Sequence, residues 1–285
     1  MGIWLSLSLG AALAASAVVW LSGTLYVRVT RCTLPSASVR EPVTIVQVTD
    51  LHGRLRYLNG RLADLVNRQK PDLVVVTGDL ASRQADLPAV LKELRRVRSP
   101  LPVLFVPGNY EREEATGVLR KRPVDGDRAL EQIASAGLRV LANQWTELEA
   151  GGGRIAVYGF DNSLYSLARF PSPADVTRHR AGLGSDSSPP AFLLMLAHSP
   201  SIIKGIKERR LPFDLLLAGH THGGQIRPFG RTLSAYGRYH IGTRLLPDGG
   251  RFGISRGLGT VHLPLRLHCP PELAVYRLVP DSPSG

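Results

Sequence analysis

Cysteine is nearly absent from this chain of 285 residues; the two present are Cys32 and Cys269. They form no C-x-x-C pair and no zinc spacing, which excludes a disulfide framework and a cysteine-built metal site and leaves two incidental thiols. Acidic residues are also scarce. Asp plus Glu number 23 against 35 Lys plus Arg, so the formal net charge is +12. A balance this basic expects an anionic partner: a membrane surface, a phosphorylated substrate or a nucleic acid. Aromatic residues make up only 6%, and no run of them offers a platform on which bases could stack, which argues against the nucleic acid. No internal repeat is present, so a solenoid is excluded.

Apolar length is not lacking. With 44% hydrophobic residues, the chain can build one domain of roughly 240 residues plus an appendage. The appendage comes first. No charged side chain occurs from Ile3 to Val27, a run of about 25 residues, long enough to span a bilayer with some tilt. Trp4, Trp20 and Tyr26 suit its two interfaces. Ala15-Ser16-Ala17 resembles a signal-peptide cleavage site, but no Lys or Arg precedes the apolar core and the run continues past that site. The reading is a single-pass anchor over 3–27, a linker over 28–42 and a catalytic domain over 43–279. Arg28, Arg31 and Arg40 follow the span, and nothing basic except the amino terminus precedes it. This places the domain on the cytoplasmic side of the cell (inner) membrane, with the arginines against anionic lipid head groups.

After the Ser- and Pro-rich stretch 33–42, short apolar runs alternate with helical ones. Residues 43–48 read as a strand ending at Asp50-Leu51-His52, and 58–70 as a helix with Leu58, Leu62, Leu65 and Val66 on one face. Residues 73–76 lead to Gly78-Asp79. A basic amphipathic helix over 87–97 follows, and 102–106 leads to Gly108-Asn109-Tyr110-Glu111. Three such steps indicate an α/β sheet covered by helices. Farther on come a helix over 127–136, a hairpin turn at Gly151-Gly152-Gly153 and a loop-like stretch between Phe170 and Pro190. The last buried strands, 192–197 and 215–218, end at His198 and at Gly219-His220-Thr221-His222.

Strand after strand thus ends in a metal-ligand type: Asp50 with His52, Asp79, Asn109, His198, and His220 with His222. The carboxyl edge is where open α/β sheets place their sites. Oxygen donors mixed with imidazoles suit Mn²⁺, Fe or Zn²⁺ better than Ca²⁺, and they hold two ions where a carboxylate bridges. On extended chain His220 and His222 point to the same side, so each can serve a different ion.

Asp50-x-His52, Gly78-Asp79, Gly108-Asn109, Ala197-His198 and Gly219-His220-Thr221-His222 resemble, in order, the motifs of the calcineurin-like metallophosphoesterases over residues 44–278. The resemblance implies an α/β fold of two β-sheets packed face to face with helices outside, four layers αββα, here preceded by a transmembrane helix. It implies two divalent ions, Mn²⁺ or else Fe or Zn²⁺. Carried over, Asp50, His52 and His222 bind one ion, Asn109, His198 and His220 the other, and Asp79 bridges. Two such ions clamp phosphoryl oxygens and turn a bridging water into the hydroxide that attacks phosphorus.

One position departs from the pattern. The family has histidine after Gly-Asn, and this chain has Tyr110. A phenol with a pKa of about 10 donates a hydrogen bond but is a poor acid at neutral pH. Arg54 is either a nearby cation that supplies charge to the phosphate or a solvated arginine, and the Asn109 amide can donate to the phosphate. A good leaving group, as in a pyrophosphate, tolerates the change. The segments Ser255-Arg256-Gly257-Leu258-Gly259, Pro264-Leu265-Arg266 and Pro270-Pro271-Glu272 are similar to the close of membrane-anchored bacterial members that act on phosphodiesters. Relatives of these hydrolyse the pyrophosphate of UDP-2,3-diacylglucosamine. Arg256 and Arg266 are then phosphate contacts or structural residues. The expected function is a membrane-anchored dinuclear phosphoesterase acting on a phosphodiester or pyrophosphate, with a lipid-linked substrate. A nuclease of the same family and a non-catalytic scaffold crippled at Tyr110 are the alternatives.

Overall fold

The computed structural model describes residues 18, 20–161, 163–181, 189–232 and 234–281. The amino-terminal half supplies one sheet and the carboxy-terminal half another. The chain opens with β1 (Arg28–Ser36), β2 (Val43–Val48), a hairpin of β3 (Arg56–Tyr57) and β4 (Gly60–Arg61), and helix α1 (Leu62–Asn67). Next come β5 (Leu73–Val76), α2 (Leu87–Leu94), β6 (Leu104–Phe105), a second hairpin of β7 (Glu113–Ala115) and β8 (Lys121–Pro123), α3 (Gly126–Ser135) and β9 (Arg139–Val140). The other half holds β10 (Gln144–Ala150), β11 (Gly153–Gly159), α4 (Pro173–Ala181), β12 (Phe192–Leu196), α5 (Ile202–Glu208), β13 (Leu215–Ala218), β14 (Gly242–Leu245) and β15 (Arg251–Ile254). Finally β16 (Glu272–Pro280) returns to the first sheet. The strand orders are β1-β16-β2-β5-β6-β9 and β10-β11-β12-β13-β15-β14. The central strands are parallel, whereas β16 on β2, β10 on β11 and β14 on β15 are antiparallel, so both sheets are mixed.

The strands are apolar on both faces because both faces are covered. Ile45, Val75 and Leu104 of one sheet share a buried cluster with Ile155, Leu194 and Leu217 of the other, so the sheets pack face to face. One residue along, Val46, Val48, Val74 and Val76 point the other way and pack with Leu62, Leu65, Val90 and Ile133 of the helices. Gln47 is the polar exception between the sheets. Its amide donates to Thr77 Oγ1 and to the Ala218 carbonyl, each at 3.0 Å, and so ties the end of β2 to the end of β13.

The expectations for residues 28–36 and 58–70 are corrected. Residues 28–36 are not linker: β1 pairs in parallel with β16 along its whole length, from Arg28 opposite Glu272 to Ser36 opposite Pro280. The helix expected over 58–70 is confined to α1, because residues 56–61 form the first hairpin. There Gly60 takes φ +139°, and the Asn59 amide both donates to the Val27 carbonyl and accepts from its N–H, leaving Leu58 59% exposed. The span over 3–27 lies largely outside the described residues. Among the described residues no helix is long and apolar enough to cross a membrane. Residues 20–25 are helical, yet Thr24 and Val27 are already buried against the catalytic domain, which therefore begins before residue 28. Within the expected loop of 170–190, α4 occupies part, and 182–188 lie outside the described residues.

Candidate metal centre

The parallel strands β2, β5, β12 and β13 end side by side, and their ends bring two triads of donors together. Asp50, His52 and His222 form one, and Asp79, His198 and His220 the other; within each, the donor atoms lie within 4.8 Å of one another. Asp79 Oδ2 stands 3.3 Å from His198 Nε2 and 3.6 Å from His52 Nε2, so this carboxylate faces both triads. His220 and His222 do reach different triads, but not from extended chain. Their φ values are +68° and +50°, and Asp50, His52 and Asp79 are left-handed as well, at +53°, +47° and +57°. Backbone strain of this kind persists only where the surroundings over-determine it, and it gathers at functional sites.

The glycines before the ligands have steric causes. Gly78 takes φ +84°, and a Cβ there would meet the Gly108 backbone at 2.6 Å and His198 Nδ1 at 2.7 Å. At Gly219 a Cβ would overlap Thr49 Oγ1 and Asp50 Oδ2. Glu111, buried behind the site, holds two strand ends in register. Its carboxylate accepts from the N–H groups of Gly108 at 2.7 Å, Asp79 at 3.0 Å and Leu80 at 3.0 Å.

The ring nitrogens are arranged as metal ligands require. Nδ1–H of His198 donates to the Thr77 carbonyl at 2.8 Å, which turns Nε2 towards Asp79 and His220. Tyr236 OH lies 3.2 Å from His220 Nε2, leaving Nδ1 inward, and Ser82 Oγ lies 2.9 Å from His52 Nδ1, leaving Nε2 inward. Such outer partners orient metal-binding imidazoles. His52 Nε2 and His222 Nε2 face each other at 3.0 Å, and His198 Nε2 faces His220 Nδ1 at 3.1 Å. These separations suit neighbouring ligands of one ion at bonds of about 2.1 Å. The donor set fits two divalent cations.

Burial sets the protonation. It lowers His52 to about 4 and His220 to about 3, and holds His222 well below its ordinary value. It raises Asp50 to about 6, with Asp79 adding to the rise. The Asp79–His198 pair goes against burial. Burial alone would lower His198, but the Asp79 charge and hydrogen bond raise it to about 10; His198 and His52 in turn hold the Asp79 carboxyl well below the usual range. Without metal the centre thus presents three neutral imidazoles and one proton on His198.

The remaining residues fall at different places. Asn109 sits between Gly108, bound to Glu111, and Tyr110, whose N–H donates to Asp79 Oδ1 at 2.9 Å. The Tyr110 ring meets His52 edge-on with centroids 4.8 Å apart, and burial raises its phenol above the ordinary value. Arg54 lies at the rim, with Nη2 3.3 Å from Thr260 Oγ1. Arg266 is fully buried and donates to the carbonyls of Gly259, Arg256, Cys269 and His222, while Arg256 pairs with Glu272 at 3.2 Å. Arg266 is thus held by the backbone around it and Arg256 by Glu272, each in a structural role. Cys32 and Cys269 are free thiols, and the Cys269 thiol donates to the His222 carbonyl at 3.2 Å. Sequence reasoning missed Lys121, whose ammonium lies 4.4 Å from the Tyr110 ring centroid and pairs with Glu113; Glu113 also accepts from Tyr165 OH at 2.6 Å. It missed Ser82 and Tyr236 too. Ser82 comes from a loop, Lys121 from a short strand and Tyr236 from a short 3-10 turn, and no local periodicity points to them.

Residues 43–224 match the family described as Calcineurin-like phosphoesterase. The chain is 30% identical to "Phosphodiesterase YaeI" of Escherichia coli (strain K12), over 84% of this chain and 83% of that one. It is 28% identical to "Uncharacterized protein YpbG" of Bacillus subtilis (strain 168), over 84% and 82%. An "Uncharacterized metallophosphoesterase" of Helicobacter pylori (strain J99 / ATCC 700824) is 29% identical over 84% of this chain, which spans only 60% of that protein.

Proposed function

We propose, from the premise that the chain belongs to the calcineurin-like phosphoesterases and is a metal-dependent phosphoester hydrolase, that it cleaves a phosphodiester or pyrophosphate whose other end is lipid-linked. The observation that carries the hydrolytic reading is the pair of buried donor triads facing one another across Asp79. A relative named as a phosphodiesterase supports a diester. The basic balance and the uncharged run from residue 3 support a place at an anionic membrane surface, on its cytoplasmic side.

Two divalent ions, Mn²⁺ by preference and Fe or Zn²⁺ by the same donor chemistry, would be held by Asp50, His52 and His222 and by Asp79, His198 and His220, with Asn109 completing the second set. Bound there, they supply Lewis acidity, charge neutralisation and a water of lowered pKa. The chain's own residues do the rest. Asp79 fixes the two triads relative to each other, and Tyr236 and Ser82 hold two imidazoles in their ligating tautomers. The Tyr110 hydroxyl and the Lys121 ammonium occupy the flank where the family pattern has histidine. They stabilise developing charge without transferring a proton, which suits a leaving group that needs no strong acid.

The test is hydrolysis of bis(p-nitrophenyl) phosphate by the full chain after loading with Mn²⁺, Fe or Zn²⁺. Turnover is expected with at least one ion, falling by at least about a hundredfold, together with metal content, in Asp79→Asn and His222→Ala. No turnover with any of the three would sink the reading and return the scaffold alternative.

A further inference from the structure

We infer that the metal centre is flanked by a subsite for an alkyl-type substituent, so that one ester group of the natural diester is apolar. The inference rests on the phosphoesterase reading above and adds the substrate class. A cavity of roughly 320 Å³ lies between residues 221–236 and 261–263, within the range of about 300–1,000 Å³ usual for small-molecule sites. Two of its wall residues belong to the metal centre: His222 is a member of one triad, and Tyr236 holds His220 of the other. Ile226, Pro228, Val261 and Leu263 supply the apolar surface.

The polar side chains in the wall have partners within the protein. The Gln225 amide donates to the carbonyls of Val261 at 3.1 Å and Leu263 at 2.9 Å and accepts from the Val261 N–H at 2.9 Å. Thr221 Oγ1 accepts from the Gly223 N–H, Thr232 Oγ1 donates to Ser234 Oγ, and His262 Nδ1–H donates to the Val118 carbonyl. A polar ligand entering here would lose water and find these groups already satisfied, whereas an apolar one loses nothing. The wall stays apolar to the surface at Leu263, which is 49% exposed.

The adjoining cavity is less apolar. A second cavity of roughly 520 Å³ shares His262 and Leu263 with the first and has a mixed lining, in which Arg83, Thr116 and Thr260 stand beside Ala115, Val118 and Pro264. It too reaches the metal centre, through Ser82 and Tyr110 against His52. A phosphodiester with its phosphorus at the triads extends its two ester groups in diverging directions, and the apolar cavity receives one of them. Hydrolysis adds one water across one P–O bond and releases one alcohol and one phosphomonoester, with no other reactant.

The experiment is a series of p-nitrophenyl alkyl phosphates, methyl to octyl, with the metal-loaded full chain. The expected result is a rise in kcat/KM of about fourfold per methylene buried until the cavity is filled. In Leu263→Gln, an exposed position that folding tolerates, and in Ile226→Asn, the octyl-to-methyl ratio falls at least tenfold. A flat series in the wild type, or a ratio unchanged in both variants, overturns the subsite. Calorimetric binding of methyl and octyl phosphate separates this inference from its premise. If no diester is turned over with any metal, tighter binding of octyl phosphate still supports the subsite, and equal binding overturns it.

Discussion

At the scale of single residues, Glu111 and His198 make the site's two measurable commitments. Glu111 is buried and accepts three backbone N–H groups, two of them from Asp79 and Gly108 at the ends of different strands. Burial and the Asp79 charge push its carboxyl up, and the three donors pull it back towards ionisation. In Glu111→Gln the amide turns a donor towards these N–H groups. At least one then stays buried and unpaired, at a cost of roughly 1–3 kcal/mol. A lowered urea midpoint is expected, together with a loss of bound Mn²⁺; a variant with wild-type values of both would remove the clamp role. His198 controls pH dependence. Its folded value is raised to about 10, so at neutral pH a metal must displace its proton. Apparent metal affinity therefore rises from pH 7 to 9 by up to about tenfold per unit. His52 and His220, lowered to about 4 and 3, are already neutral and add no slope there. Titration in buffers of different ionisation enthalpy is expected to show about one proton released. The sign for stability is opposite: the raised His198 stabilises the metal-free fold fully below about 6.5, and that contribution is lost as pH rises through about 10. The metal-free Tm should fall over that window.

At the scale of elements, the legible strands are those whose burial is total. Residues 73–76 and 215–218 are wholly buried, so their sequences are unbroken apolar runs, and each ends in a glycine that sterics demand. All seven expected ligands lie directly beyond such runs or beyond β2, β6 and β12, which is why the site could be read. β1 was not legible because it is an edge strand with Arg28, Arg31, Thr33 and Pro35 exposed, and its partner β16 lies at the other end of the chain. The helical spacing of Leu58 and Leu62 predicts helix across the first hairpin, whereas Asn59 is held by Val27, a contact that no local pattern contains. The second hairpin carries Lys121 to Tyr110 by the same kind of long-range placement. Lys121→Ala should lower kcat on the order of ten- to a hundredfold with little change in KM. The loss should grow as the leaving alcohol becomes poorer. A kcat independent of the Lys121 charge would confine this lysine to pairing with Glu113.

At the scale of the whole molecule, the question is how the amino-terminal run joins the enzyme. Thr24 Oγ1 donates to the Arg266 carbonyl and accepts from its N–H, and the Arg266 guanidinium reaches the His222 carbonyl at 3.4 Å. Arg266 alone therefore stands between the apolar run and His222 of the first donor triad. A chain beginning at residue 20 keeps these bonds and the burial of Val27; one beginning at residue 28 loses both, at roughly 2–4 kcal/mol. The shorter chain should show a lower Tm and weaker metal retention. Flotation with anionic vesicles then separates the two attractions to a membrane. Attraction through the net charge of +12 is screened over a Debye length of about 10 Å at 0.1 M salt and shorter at higher salt. Burial of an apolar span is not screened. The full chain should stay with the vesicles in high salt, and the chain beginning at residue 20 should be released. If salt releases both alike, the run from residue 3 is no anchor, and whatever membrane contact remains is electrostatic.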